Sequence, residues 1–272
     1  MKKITPIILI IIVTILLLAT ITTNNQKELR IVGAELPPFE YYENKQAQGI
    51  HIEIIKEILD KLEVPYTIEL MEWDDALKKM KSGDAEIMPS VLYTKERSSY
   101  INYLDEHKTY TGKENLPKTT LWLENYIFFK KTDSNLDLSS VNSIVENNYR
   151  VAIINGYHYP KELYSEHFNF YSYRTAKEAI EGLNTNEIDI LLSDKFPTEK
   201  IIKEMNLNIN PSQEISYFAP NFIVFSKNSK YKNLDKIQEK FYEKLIELKN
   251  KNKHEELYQK YIGENFTKTY NL

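Results

Sequence analysis

Two stretches of this chain repeat one another. "ALKKMKSGDAEIMPS" (76–90) and "AIEGLNTNEIDILLS" (179–193) align without a gap. Ala76 meets Ala179, Leu77 meets Ile180, Met80 meets Leu183, Glu86 meets Asp189, Ile87 meets Ile190 and Ser90 meets Ser193. Each copy has apolar residues at helical spacing, a polar turn, then a short apolar run, the pattern of helix, turn and strand. Two readings remain open here: a coincidence of generic patterns, or two α/β lobes of like design that each present a strand end to a common cleft.

The flanking sequence extends the pattern. Leu29 to Val32 is an apolar run ending at Gly33 and Pro37-Pro38, a strand entering a constrained loop. "GIHIEIIKEILDKLEV" spaces Ile50, Ile54, Ile55, Ile58 and Leu62 as a helix. "PYTIELMEW" reads as a strand, "DDALKKMKSG" as a helix closed by Gly83, and "AEIMPSV" as a strand. The order β-α-β-α-β favours a parallel sheet with helices on its faces. "YRVAIINGYHYPKELY" and "TAKEAIEGLNTNEIDILLSD" then restart it. The aromatic-rich segments 122–133 and 215–228 bracket this second region and are expected to be two crossovers between lobes. In the tail, Ile237, Phe241, Leu245, Ile246 and Leu248 make one helical face that must pack on something, expected to be the first lobe.

Composition narrows the function. The chain has 272 residues, 42% hydrophobic and 27% charged, an ordinary globular balance. Its net charge is −4, and Lys2 and Lys3 make the rest more acidic still, so no nucleic-acid partner is expected. Cysteine is absent, which excludes disulfides, thiol catalysis and thiolate metal sites. No G-x-S-x-G, H-E-x-x-H or P-loop occurs, and the five histidines lack metal-ligand spacing. A binding protein without catalytic residues, metal or cofactor is expected.

The N-terminus, residues 1–26, reads as an export signal: two lysines, then an apolar run from Pro6 to Ile21 broken only by Thr14 and Thr20. The alternative is a retained anchor formed by residues 4–21, since the run is near the lower limit for spanning a bilayer. Either way the remainder is expected outside the cytoplasm, periplasmic or tethered to the outer membrane face.

Ordered landmarks then carry a resemblance. They are "PPFEYYE", "GIHIEI", "WDDAL…GDAEI", "TKER", "VAIINGY", "DILLSD" and a closing "YQKYIG". Over residues 28–263 the chain resembles the bacterial extracellular solute-binding proteins of family 3, the polar amino-acid type. The resemblance implies an α/β fold of two Rossmann-like lobes joined by two crossover segments, the type II periplasmic-binding-protein architecture. It divides the chain into the leader or anchor (1–26), a first lobe (27–125), a second lobe (126–220) and a C-terminal return to the first (221–272). It implies a monomer that captures a small-molecule ligand and delivers it to a membrane ABC permease, or alternatively serves as a sensing input for a membrane receptor. A third alternative on this scaffold is a dehydratase of cyclic acids with Asp194 or Glu35 as general acid.

The resemblance also assigns residues. Arg97, of the T-x-x-R motif, takes a ligand carboxylate, and Asp194, ending the second-lobe strand, takes its ammonium. Ser90 and Leu92 lie in the loop that offers hydroxyl and backbone donors, and Phe39 and Tyr41 map to the aromatic cover. Trp73 and Tyr157 are candidate cleft walls. Structural alternatives stand beside these: a salt bridge for Arg97, a helix cap for Asp194, ordinary packing for the aromatics. Two departures from the family pattern are His51, where aspartate is common, and the Gly156-Tyr157-His158-Tyr159 run, where threonine usually follows the glycine.

Overall fold

The computed structural model describes residues 27–110, 115–160, 162–270 and 272; the apolar leader lies outside them. Among these residues the strands are β1 (Leu29–Gly33), β2 (Tyr41–Glu43), β3 (Gln46–Gln48), β4 (Tyr66–Leu70), β5 (Ile87–Val91), β6 (Ile101–Asn102), β7 (Trp122–Lys131), β8 (Arg150–Ile154), β9 (Asn169–Tyr173), β10 (Ile190–Asp194) and β11 (Ile209–Ser226). β2 and β3 form a hairpin. The rest share one 9-stranded sheet in the order β4-β1-β5-β11-β7-β10-β8-β9, with β6 also on β11.

The sheet is mixed, where the sequence pattern favoured a parallel one. Each lobe keeps its parallel core, β4-β1-β5 in the first and β10-β8-β9 in the second. The two crossovers, β7 and β11, run out to the second lobe and back. They therefore pair antiparallel with each other, from Trp122↔Asn221 to Lys131↔Ile209. β11 continues onto β5 and β7 lies beside β10, so both lobes hang from one two-stranded hinge. The second crossover starts earlier than residue 215: Ile209–Pro211 already pair with Lys131–Phe129, before the register slips between Pro211 and Ser216.

Helices 50–61, 73–82 and 234–250 serve the first lobe, and 176–184 and 195–204 the second. Ile54, Ile55 and Ile58 meet Phe241, Leu245 and Leu248 in one buried cluster, with Ile237 packed at its margin. Each such buried aliphatic side chain contributes about 1.5–3 kcal/mol of apolar transfer, which is what holds the C-terminal helix on the first lobe. Gly83 ends helix 73–82 at φ +78°, and a Cβ there would lie 2.3 Å from the Asn228 carbonyl oxygen. Only glycine fits both the left-handed turn and that approach. Helix 176–184 begins with a capping box: Thr175 Oγ1 accepts from Glu178 N–H, and Glu178 Oε2 accepts from Thr175 N–H.

The repeat has a physical counterpart. Arg30 on β1 grips Glu86, donating from Nη2 to Oε1 at 2.8 Å and from Nε to Oε2 at 3.1 Å, and also reaches the Gly83 carbonyl. Arg150 on β8 grips Asp189 in the same way, Nη2 to Oδ1 at 2.6 Å and Nε to Oδ2 at 3.0 Å, and reaches the Asn186 carbonyl. Glu86 and Asp189 are aligned in the repeat, as are Gly83 and Asn186. In both lobes a bidentate pair staples the helix-strand turn to the neighbouring strand.

Candidate functional site

The carboxyl ends of the strands in both lobes point toward one interlobe seam, where open α/β sheets take ligands. Residues after β1, β4 and β5 face residues after β8. Between them lies a small inner chamber of about 10 Å³. It is walled by Trp73, Ser90, Leu92 and Arg97 from the first lobe and Tyr157 from the second, and Glu124 and Asn221 reach it from the hinge strands. An outer groove of about 710 Å³ opens beside it, bounded by Glu35, Pro37 and Glu72 on one lobe and Tyr157 and Arg174 on the other.

Arg97 begins a single 3-10 turn, and the Thr94 hydroxyl accepts its N–H. The residue is 5% exposed. It donates to the Gly156 carbonyl at 2.9 Å and weakly to the Leu92 carbonyl, and it stacks 5.7 Å from the Trp73 ring. Among the described residues no carboxylate closes an ion pair with it. A desolvated cation met by carbonyls, the Tyr100 hydroxyl and an aromatic face, with no ion-pair partner among the described residues, is suited to an added anion. Trp73 Nε1–H donates to the same Gly156 carbonyl at 3.1 Å, and its ring meets Tyr157 edge-on at 5.7 Å. At the mouth, Arg174 Nε donates to Glu72 Oε2 at 2.6 Å. The lobes are therefore closed on each other, latched at Gly156 and at this outer ion pair.

Behind the chamber sits a buried polar group. Ser90, at φ +61°, is 4% exposed and shares a 2.8 Å hydrogen bond with His51 Nδ1. His51 lies 3.7 Å from Glu40, and both are fully buried. Burial lowers the His51 imidazole to about 3 and pushes the Glu40 carboxyl well above the usual range. Burial thus disfavours charge on both groups behind Ser90. Leu92 carries its carbonyl to the Tyr103 hydroxyl at 2.9 Å.

Five of the eight residues singled out from sequence thus share the chamber: Arg97, Ser90, Leu92, Trp73 and Tyr157. Three stand elsewhere. Asp194 ends β10 and is 2% exposed, but its oxygens accept from the backbone N–H groups of Asn125, at 2.6 Å, and Phe196, at 3.1 Å. It caps helix 195–204 and does not line the chamber. Phe39 is fully buried in the first-lobe core, with its ring 4.0 Å from Trp122 and 5.1 Å from His51. The tight turn from Leu36 to Glu40, closed by Phe39 N–H to the Leu36 carbonyl, swings that ring inward. Tyr41 lies on the β2–β3 hairpin, with Lys200 Nζ 5.5 Å from its ring. Glu72, Asp74 and Asp75 are surface charges, the last two shared by Lys78.

Among the chamber residues that escaped the sequence reading are Glu124 and Asn221, with Leu36 and Tyr126 beside them. Glu124 is 7% exposed and accepts from Asn221 Nδ2 at 3.1 Å. Burial raises its carboxyl to about 7, against the pull of Tyr126, Asn221 and Arg97. The available signal was a lone acid and a lone amide inside the otherwise aromatic runs "WLENYIFF" and "FAPNFIVF". By pattern alone those runs read as connections.

The two lobes, the shared hinge and the strand-end cleft define the type II periplasmic-binding-protein fold. The family model "Bacterial extracellular solute-binding proteins, family 3" matches residues 29–145, and over that part the resemblance read from the motifs holds. Among solved structures the chain is similar to the arginine-, lysine-, histidine-binding protein ArtJ from Geobacillus stearothermophilus, at 16% identity and TM-score 0.68, covering 88% of this chain and 96% of that one. It is similar to a mutant of ArgBP from T. maritima, at 18% identity and TM-score 0.72, covering 90% and 99%. It is also similar to a histidine kinase sensor domain with similarity to periplasmic binding proteins, at 16% identity and TM-score 0.70, covering 89% and 99%. No curated protein matches the chain. Among the described residues no helix is long and apolar enough to cross a membrane.

Proposed function

We propose that this protein is an extracytoplasmic solute-binding protein that closes its lobes on a small polar ligand carrying a carboxylate, an amino acid or a close relative, and delivers it to a membrane ABC permease. The observation that carries this reading is Arg97. It is a buried guanidinium at the lobe seam with no carboxylate of its own. A ligand carboxylate would take two parallel hydrogen bonds from it. Trp73 and Tyr157 would cover the apolar part, and the Ser90 hydroxyl would add a donor. Asp194 contributes from behind, by fixing the start of the helix that follows β10. Lobe opening on the hinge strands admits the solute, and closure removes it from water and strengthens the charged contacts. The amino-acid class is supported by the names of the structural relatives, which bind arginine, lysine or histidine.

A second reading, a ligand-sensing input for a membrane receptor, is favoured by the likeness to a kinase sensor domain. The two readings share the ligand site and differ in the partner.

The test is a thermal-shift panel of amino acids, dicarboxylates and amines. A ligand present at 100 times its dissociation constant stabilises by about 2.7 kcal/mol. Stabilisation by amines alone, with no acid or amino acid active, would overturn the carboxylate reading. Crosslinking of the liganded protein in its native membrane then separates permease from receptor.

A further inference from the structure

The chamber has a second pole, on the hinge. We propose that Glu124 and Asn221 form a subsite for the protonated amine of the ligand, opposite Arg97, so that the solutes selected are amino acids rather than simple carboxylic acids. This rests on the reading of Arg97 as the carboxylate clamp.

Three observations carry it. First, Glu124 is the carboxylate that lines the chamber together with Arg97, whereas both oxygens of Asp194 are taken by backbone N–H groups. Second, Asn221 is fully buried and its amide is oriented by its neighbours. Nδ2 donates to Glu124 Oε2 at 3.1 Å and to the Ala219 carbonyl at 3.4 Å. That leaves Oδ1 buried with no hydrogen-bond partner among the described residues. An unpaired buried acceptor costs about 1–3 kcal/mol. A carboxylate oxygen and an amide oxygen at one wall together call for a group with several donors and a positive charge, which an ammonium supplies. Third, both residues stand on the paired hinge strands, where Glu124 faces Ala219 and Trp122 faces Asn221. The subsite therefore persists when the lobes separate, and the amine docks on the hinge before the lobes close.

The groups facing Glu124 are Arg97 from the first lobe, Asp194 from β10, and Tyr126, Tyr157, Tyr159 and Tyr270, with His158 lining the same chamber. Burial lifts the tyrosines and Asp194 above their usual ranges and lowers His158 below its own. Glu124, near 7, is thus the chamber acid whose charge changes around neutral pH.

The test measures the twenty proteinogenic amino acids and, for each one bound, the matching acid with hydrogen in place of the amine. Titration calorimetry is run on the parent, Glu124→Gln, Asp194→Asn and Arg97→Ala. The parent is expected to prefer the amino acid by at least about tenfold. Glu124→Gln loses that preference and keeps its affinity for the deaminated acid, Asp194→Asn keeps the preference, and Arg97→Ala weakens both compounds at least about tenfold. The parent alone gives a second readout. Its affinity for the amino acid rises about tenfold from pH 6 to pH 8, as Glu124 becomes charged without the help of the ligand. A Glu124→Gln protein that still prefers the amino acid, or a parent whose affinity is flat across that range, overturns the subsite. Binding of no amino acid and no acid overturns the proposed function as well, and so does an Arg97→Ala protein that binds like the parent.

Discussion

Arg97 of the first lobe donates a 2.9 Å hydrogen bond to the carbonyl of Gly156 in the second. Trp73 Nε1–H reaches the same oxygen. One carbonyl thus holds the lobes together through the cation assigned to the solute. On the proposed function, ligand binding and lobe closure would draw on the same side chains, so substitutions at this point should act on affinity more than on folding.

Arg97→Ala should sharply reduce the thermal shift caused by any carboxylate ligand while the unliganded protein keeps its cooperative unfolding. The lost charge-assisted contact is worth about 1.5–3 kcal/mol, roughly a ten- to hundredfold rise in Kd. Arg97→Lys should recover only part of it, because an ammonium cannot make two parallel bonds to a carboxylate. Calorimetry on both variants measures this, and wild-type affinity in Arg97→Ala would remove the clamp.

Gly156→Ala tests the latch from the other side. Gly156 sits at φ +76°, and an added Cβ would come within 3.0 Å of Trp73 Cδ1 and 3.4 Å of the Asp74 Cα. The strained backbone should cost about 1 kcal/mol of second-lobe stability. The clash lies across the seam, so closure suffers more: the radius of gyration with saturating ligand should stay at the open value. Compaction equal to that of the parent would show that the seam tolerates a methyl group.

Asp189→Asn should weaken the second lobe in a pH-dependent way. The hydrogen bonds from Arg150 hold the Asp189 carboxyl below its usual 3.8. A carboxylate held low in the folded state contributes stability that is complete above pH 4 and is lost as the pH falls through the folded value. The pair is partly exposed, so the loss at pH 7 should be about 1 kcal/mol. Urea unfolding of parent and variant should differ at pH 7 and converge as the pH falls below 3.8.

Buried neutral histidines set a wider acid window. His107 stacks on Phe222 at 3.8 Å and shares a 2.7 Å hydrogen bond with Thr119. Burial, helped by the Lys108 charge, lowers it to about 3. His51 and His254 are lowered as far. Such groups contribute stability that is complete above their unfolded value of 6.5 and is lost as the pH falls from there toward 3. His107→Gln should therefore flatten the fall in unfolding free energy between pH 6.5 and pH 4.5 by about 1.4 kcal/mol per pH unit. An unchanged slope would mean that His107 already titrates normally in the folded protein.

Much of the architecture was written locally. The helical spacing of Ile50, Ile54, Ile55 and Ile58, the Gly83 stop and the aligned Glu86 and Asp189 depend on neighbours within one turn or one strand, and such patterns survive as linear text. Arg97 was legible too, because a strand, a turn and a cation lie in immediate succession. Asp194 was legible as a strand-ending acid, but its two roles, ligand partner and helix cap, use the same sequence signal.

The sequence by itself determined two α/β units, the strand ends that meet at a cleft, and a cation at one of them. Only the tertiary structure decided which acid faces that cation, because the choice depends on how β7 pairs with β11. That pairing brings Glu124 and Asn221 to the wall of the chamber that Arg97 also lines, while the amides of Asn125 and Phe196 occupy Asp194. Only the structure, likewise, turned Phe39 into the core and left Tyr41 on a hairpin. The direction of a side chain at a bend, and the partner across a hinge, are set by contacts between residues far apart in the chain, and no local pattern carries them.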